Sequence, residues 1–244
     1  MGLNCFNRTS IYCHFRNVSL MRLVVRIGGS VVASPVNTEL IGKYVDLLKT
    51  LKTQKYELVV VVGGGALARD FIKIAKDLEL EEKAQDELAI SVSKLFAQLF
   101  LKKLGDAGCE TVPSTVEDAS ECLAKGKVVV MGGLEPGITT DTVAALVAER
   151  VDADLLVKAT DQNGVYDKDP RKHPDAVKLD RLSFDDLSKV FDESKHKAGI
   201  HQVIDPEAAK ILRRCRIKVV VVSGFVPENV LDVVKGKSLG TLIS

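Results

Sequence analysis

Leu58-Val59-Val60-Val61-Val62-Gly63-Gly64-Gly65-Ala66-Leu67-Ala68-Arg69 is the stretch that decides the fold class of this chain. Leu58 to Val62 is an unbroken apolar run, as a parallel strand covered on both faces requires. The glycines end it. Leu67, Phe71, Ile74 and Ala75 then recur at helical spacing, so a helix is predicted over Ala66 to Leu78. Strand, glycine joint and helix form the repeating unit of an α/β sheet. Such joints bind phosphates, because bare backbone N–H groups and the positive end of a helix dipole point at one spot. Arg69, about one turn into the helix, can reach back with its guanidinium fork. No Gly-Lys-Ser/Thr follows, so the run is not a P-loop, and alone it reads equally well as a tight turn.

Two more joints repeat the design. Gly28-Gly29-Ser30 follows a buried strand over residues 22–27. Gly132-Gly133 and Gly137-Ile138-Thr139-Thr140-Asp141 follow a strand over Lys127 to Met131 and precede an alanine-rich helix over Thr142 to Val151. Three joints at the ends of successive strands point to a site for several phosphates at once. Helices are predicted over residues 38–53 and 84–104, and strands over Leu155 to Ala159, Lys218 to Val222 and Gly240 to Ile243. Asp205-Pro206 reads as an N-cap with proline at N1, opening a helix to about Arg214, and Pro227 to Val234 is another helix. Residues 160–182 are polar and turn-rich and read as a surface hairpin or flap. The alternation predicts a three-layer αβα sandwich around a mainly parallel sheet.

Composition sets the outer limits. A chain of 244 residues, 46% hydrophobic and 27% charged, buries a substantial core as one domain or two tightly packed lobes. The net charge of +1 gives no bulk pull toward nucleic acid or membrane. No apolar run approaches the roughly 20 residues that span a bilayer. Cys5, Cys13, Cys109, Cys122 and Cys215 are scattered and odd in number, which reads as reduced thiols in a cytoplasmic protein, with no metal site. His173, His196 and His201 fall in polar stretches and are expected to be exposed. Residues 1–20 contain Arg8, His14 and Arg16 but no acid, and no apolar signal core. They read as an extension outside the fold, with Met21 directly before the first strand; the sequons at Asn7 and Asn17 then carry no weight.

The residues with chemistry cluster at the joints. Arg26 sits inside a strand, where a charge is costly unless it is paired or functional. The third joint supplies backbone donors, two hydroxyls and a carboxylate: Thr139 or Thr140 caps the next helix or binds phosphate oxygens, and Asp141 either orients cationic groups or is a plain helix-entry residue. Lys158 ends a strand, and Asp161, Tyr166 and Asp169 follow it in the flap with the chemistry to hold a base and a ribose.

Taken together, Gly28-Gly29-Ser30, the triple glycine with Arg69, Pro136-Gly137 with Thr139-Thr140-Asp141, and Gly164-Val165-Tyr166 with Asp169-Pro170 resemble the amino acid kinase superfamily and, within it, the archaeal-type uridylate (UMP) kinases. The likeness covers about Met21 to Ser244 and implies one amino acid kinase domain, with an acceptor lobe over about 21–150 and an ATP lobe over about 151–244. It implies transfer of the γ-phosphoryl of Mg-ATP to UMP, in pyrimidine nucleotide synthesis. By this resemblance Gly28, Gly29, Ser30, Gly65 and Arg69 face ATP phosphates, and Thr160, Asp161, Tyr166 and Asp169 hold the ATP nucleoside. Gly64, Asp86 and the loop Leu134, Glu135, Pro136, Gly137, Ile138, Thr139 and Thr140 face UMP. Arg26, Arg69 and Asp141 carry the catalytic roles, Asp141 as the acidic organiser. A homohexamer built on dimers and UTP feedback inhibition are also implied, with the apolar face of Leu88–Leu101 as a dimer surface or simply core. The chain departs from the pattern at Arg26, where many members have Lys, and at Lys94-Leu95-Phe96-Ala97 and Asp161-Gln162-Asn163-Gly164.

The mechanism expected is direct in-line transfer. An acceptor phosphate oxygen is already ionised, so positioning and charge compensation carry the catalysis. Two other readings stay open: a kinase of the same superfamily acting on isopentenyl phosphate, an amino acid or carbamate, and a non-catalytic nucleotide-binding or storage module. No histidine occurs in the glycine joints, which counts against an isopentenyl acceptor.

Overall fold

The computed structural model describes residues 20–187 and 203–244. Strand β1 (Arg22–Ile27) runs into a single turn α1 (Gly29–Val32), followed by α2 (Thr38–Thr53), β2 (Glu57–Val62), α3 (Gly65–Asp77) and α4 (Glu82–Leu104). Next come α5 (Val116–Ala124), β3 (Val129–Met131), α6 (Thr140–Arg150) and β4 (Leu155–Thr160). Short strands β5 (Val165–Tyr166), β6 (Lys178–Leu179) and β7 (Arg181–Leu182) precede α7 (Pro206–Cys215), β8 (Lys218–Ser223), α8 (Glu228–Val234) and β9 (Thr241–Ile243).

Among the described residues the main sheet has seven strands in the order β3-β2-β1-β4-β8-β9-β7. Pairs from β3 through β8 are parallel, and β9 runs antiparallel to β8. Helices α2 and α3 each pack on α4, and α5 and α7 each pack on α6. The sheet lies between them, as the three-layer expectation requires. Strand order turns at β1, with β2 on one side and β4 on the other. Open parallel sheets bind ligands at such a point, beyond the carboxyl ends of the strands.

The core follows the sequence pattern. Leu58 to Val62 are all buried, as are Leu23, Val24, Val25 and Ile27, each large side chain contributing about 1.5–3 kcal/mol. Helix starts are fixed locally: the Asn37 side chain accepts the Leu40 N–H, and Thr115 with Asp118 closes a capping box on α5.

Several expectations need correction. The flap over 160–182 does form a hairpin of β5 and β6, but β7 leaves it to pair in parallel with β9 in the main sheet. Strand β3 starts at Val129, because its pairing with β2 covers only Val59 to Val61. Cys109 and Cys122 are not free thiols: they form a disulfide, with Cα atoms 6.3 Å apart, joining the segment before α5 to α5 itself. Sequence separation alone could not show that the turn through 110–115 brings them together. Cys215 is free and His173 is exposed. Residues 1–19, with Cys5 and Cys13, lie outside the described residues, as do His196 and His201.

Candidate active site

The two breaks in the apolar pattern of the central strands are one feature. Arg26 on β1 and Lys158 on β4 are register partners, so their side chains leave the same face of neighbouring strands. Asp141, in the first turn of α6, lies between them. Arg26 Nε is 2.7 Å from Asp141 Oδ1, and Lys158 Nζ donates to Asp141 Oδ2. The Nε–Oδ1 approach is an ion pair without hydrogen-bond geometry, since neither atom has a hydrogen-bond partner. Arg26 and Asp141 side chains are 16% and 15% exposed, and Lys158 is 5% exposed. The fork of Arg26 is shared out: Nη2 donates to Thr140 Oγ1 at 3.0 Å. Nη1 lies beside Gly28, where a Cβ would come within 3.1 Å of it.

Burial raises the Asp141 pKa, but Arg26 and Lys158 outweigh it and hold the carboxyl below its ordinary value. Burial pulls the Lys158 ammonium down and Arg26 adds to the fall, while Asp141 opposes both; the net direction is down. Asp141 is thus a bridge that lets two cations sit side by side at the strand ends.

Two glycine joints touch each other here. A Cβ on Gly29 would overlap the Gly65 backbone, and Gly65 itself takes φ +62°. The N–H groups of Gly28 and Gly63 are used by the sheet, donating to Ala159 O and Ile27 O at 2.8 and 3.1 Å. Those of Gly29 and Ser30, opening α1, and of Gly65, opening α3, lie in first turns that have no intrahelical acceptor for them. Arg69 is exposed and makes no hydrogen bond or ion pair among the described residues.

Two cavities flank this centre. One of about 170 Å³ is lined by Gly64, Asp86, Glu135, Ile138, Thr139 and Thr140, together with Ser93 and Gly133. Leu134, Pro136 and Gly137 do not line it. Gly137 donates its N–H to Asp86 Oδ2 at 2.8 Å, so Asp86 holds the loop as well as the cavity wall. The second cavity, of about 110 Å³, is lined by all four of Thr160, Asp161, Tyr166 and Asp169, with Arg171 and Val203. Gly28, Gly29, Ser30, Gly65 and Arg69 line neither. A larger hollow of about 440 Å³ lies beside Cys109–Cys122 and contains none of the expected site residues.

Sequence reading missed two supports. Ser93, 3% exposed, accepts the Gly133 N–H and donates to Ile90 O, both at 2.7 Å. A polar residue among Val92, Phe96 and Phe100 on the core face of α4 was the available signal. Asp205 was read as an N-cap; it also accepts the hydroxyls of Thr139 and Thr142. Nothing in the spacing of 139 and 205 announces that contact. The pairing of Lys158 with Asp141 is likewise invisible in the sequence, where Lys158 is only a charge at a strand end.

The chain matches the amino acid kinase family over residues 21–223. It is 44% identical over 225 residues to a uridylate kinase of Methanocaldococcus jannaschii, covering 91% of this chain and 99% of the relative. It is 39% identical over 221 residues to a uridylate kinase of Methanococcoides burtonii, covering 91% of this chain and 94% of that one. The crystal structure of uridylate kinase from Archaeoglobus fulgidus superposes with a TM-score of 0.82 at 38% identity, over 92% of this chain and 100% of that one.

Proposed function

This chain belongs to the amino acid kinase family, and we propose that it transfers the γ-phosphoryl group of ATP to UMP, giving UDP. The observation that carries the reading is the Arg26–Asp141–Lys158 cluster and its place between two cavities. Arg26 is bonded to Thr140 in the wall of one, and Lys158 is two residues from Thr160 in the wall of the other. The 170 Å³ cavity takes the acceptor nucleotide and the 110 Å³ cavity the ATP nucleoside. The N–H groups of Gly29, Ser30 and Gly65 and the guanidinium of Arg69 hold the phosphates between them. The acceptor half of the site is thus built from residues before about 150 and the nucleoside half from residues after it.

Transfer is in line. The acceptor oxygen is an anion and needs no base, so the chain's own groups position and compensate charge. Lys158 and the Nη1 end of Arg26 face the transferring group. Asp141 holds both cations in place and keeps them from repelling each other out of register. Each charge-assisted contact to the transition state contributes about 2–4 kcal/mol.

Among the described residues no three His, Cys, Asp or Glu side chains converge on one point, and both Asp141 oxygens already face cations. Magnesium would enter with ATP, held through its phosphates, and would supply further charge compensation there. No helix among the described residues is long and apolar enough to cross a membrane; a cytoplasmic location is proposed on family resemblance alone, because the Cys109–Cys122 disulfide removes the argument from reduced thiols. A homo-oligomer, a hexamer by family resemblance, is supported by apolar side chains exposed on the packed pair α3 and α4: Ile74 and Leu78 at 52% and 66%, Leu95 and Leu99 at 59% and 45%. Val92, Phe96 and Phe100 of α4 are core instead. UTP feedback remains part of the proposal on resemblance alone.

A coupled ADP-release assay across UMP, CMP, isopentenyl phosphate and glutamate tests the assignment. UMP is expected to give the highest kcat/KM; an acceptor standing level with it would overturn the choice of UMP, and nucleotide binding without ADP release would overturn the kinase.

A further inference from the structure

Asp205 is used on two sides. Its Oδ1 accepts the N–H groups of Glu207 and Ala208, both at 2.9 Å, and so caps α7. Its Oδ2 accepts the Thr139 hydroxyl at 2.6 Å. The Thr142 hydroxyl donates to the same carboxylate, 2.9 Å from Oδ1 and 3.1 Å from Oδ2. Thr139 is the N-cap of α6: its oxygen accepts the N–H groups of Asp141 and Thr142 at 3.0 and 3.2 Å. A hydroxyl has one proton. With that proton committed to Asp205, the lone pairs of Thr139 are left for the two amides, and the first turn of α6 is held. Thr139 and Thr140 line the acceptor cavity, while Val203, two residues before Asp205, lines the nucleoside cavity.

We propose that Asp205 is a positioning residue for the acceptor: through Thr139 it fixes the acceptor loop and the turn that carries Asp141, from the far side of the site. Capping α7 does not require this second oxygen, because Asn caps a helix as well as Asp does. The carboxylate is needed for the contact to Thr139, where it accepts and an amide nitrogen would donate. The inference rests on the reading that the 170 Å³ cavity takes UMP.

Asp205→Asn separates the two roles. It keeps the α7 cap, so the melting temperature is expected within about 2 °C of the parent. The KM for UMP is expected to rise about five- to tenfold, with the KM for ATP within about twofold. Thr139→Val raises the UMP KM by itself, and adding Asp205→Asn to it is expected to raise that KM by less than Asp205→Asn does alone, since the route through Thr139 is gone and only the Thr142 hydroxyl still reaches the carboxylate. Additive effects, an unchanged UMP KM, or an equal rise in both KM values would overturn the inference. Amide hydrogen exchange at Asp141 and Thr142 in the substrate-free proteins gives an independent readout, expected about tenfold faster in Asp205→Asn. Equal exchange rates would also overturn it. If the unsubstituted protein does not phosphorylate UMP, the functional reading falls, and exchange still decides the role of Asp205.

Discussion

Asp141→Asn is the sharpest perturbation of the site, because it removes the one anion between two buried cations. Removing one partner of a buried ion pair costs about 3–5 kcal/mol. Arg26 and Asp141 are 16% and 15% exposed, so some water screens them, and about 2–3 kcal/mol is the better expectation. The two cations left behind sit on register-paired strands, and at a separation of about 5 Å, the generic strand spacing, their repulsion at an effective dielectric near 20 would be of the same order, about 3 kcal/mol. A domain with about 5–15 kcal/mol of stability survives this loss at 25 °C. The melting temperature should fall by about 5–10 °C. Turnover should fall further than folding does. With the cations no longer aimed, loss of about 2–4 kcal/mol of transition-state stabilisation lowers kcat roughly 30- to 1,000-fold. The assay is ADP release at 25 °C, beside circular dichroism and a thermal melt. Turnover within about threefold of the parent, in a folded protein, would refute the placement of Asp141 at the reaction centre.

Three further outcomes are expected. Arg26→Lys keeps the charge but loses the reach to Thr140; the UMP KM should rise about fivefold for about 1 kcal/mol, while kcat stays within a few-fold, and steady-state kinetics with an unchanged UMP KM would count against the shared fork. Arg69→Ala removes an exposed side chain with no partner among the described residues, so the melting point should hold while kcat/KM falls about 30-fold or more; normal kcat/KM would remove Arg69 from the phosphate site. The pH dependence has a definite sign. The folded Asp141 pKa lies below the ordinary 3.8, so its contribution to stability is full above that value and is lost as pH falls through the folded pKa, because the unfolded chain takes up the proton first. Denaturant titrations at descending pH should show this acid limb in the parent and a smaller one in Asp141→Asn; identical slopes would contradict it.

The joints and the parallel strands were legible in the sequence because each is a local pattern. Leu58 to Val62 declares a covered strand, and Asp205-Pro206 declares a helix start. Arg26 was legible as an anomaly, a charge in an apolar strand. Its partner Asp141 is 115 positions away in the chain; the third joint marked it as a candidate organiser of cations, but nothing local paired it with Arg26. Asp205 shows why the rest stayed hidden. One carboxylate does a local job that the sequence announces and a second that depends on how α7 packs on α6. Ser93 is similar, since its value lies in the Gly133 amide it meets. The disulfide and the return of β7 to the main sheet depend on loop paths, and no periodicity encodes those.

The contact between Gly29 and Gly65 has a consequence for how such a site can change. The spacing of the two turns proposed to face the phosphates is set by one main chain resting on another, so no side-chain substitution at either position can adjust it. If these turns hold the phosphates as proposed, the geometry there is inherited as a block. What remains open to drift is the rim: the 134–140 loop, Asp86 and the polar face of α4. A descendant of this chain with a different acceptor would be expected to differ there first, and to keep the interlocked glycines untouched.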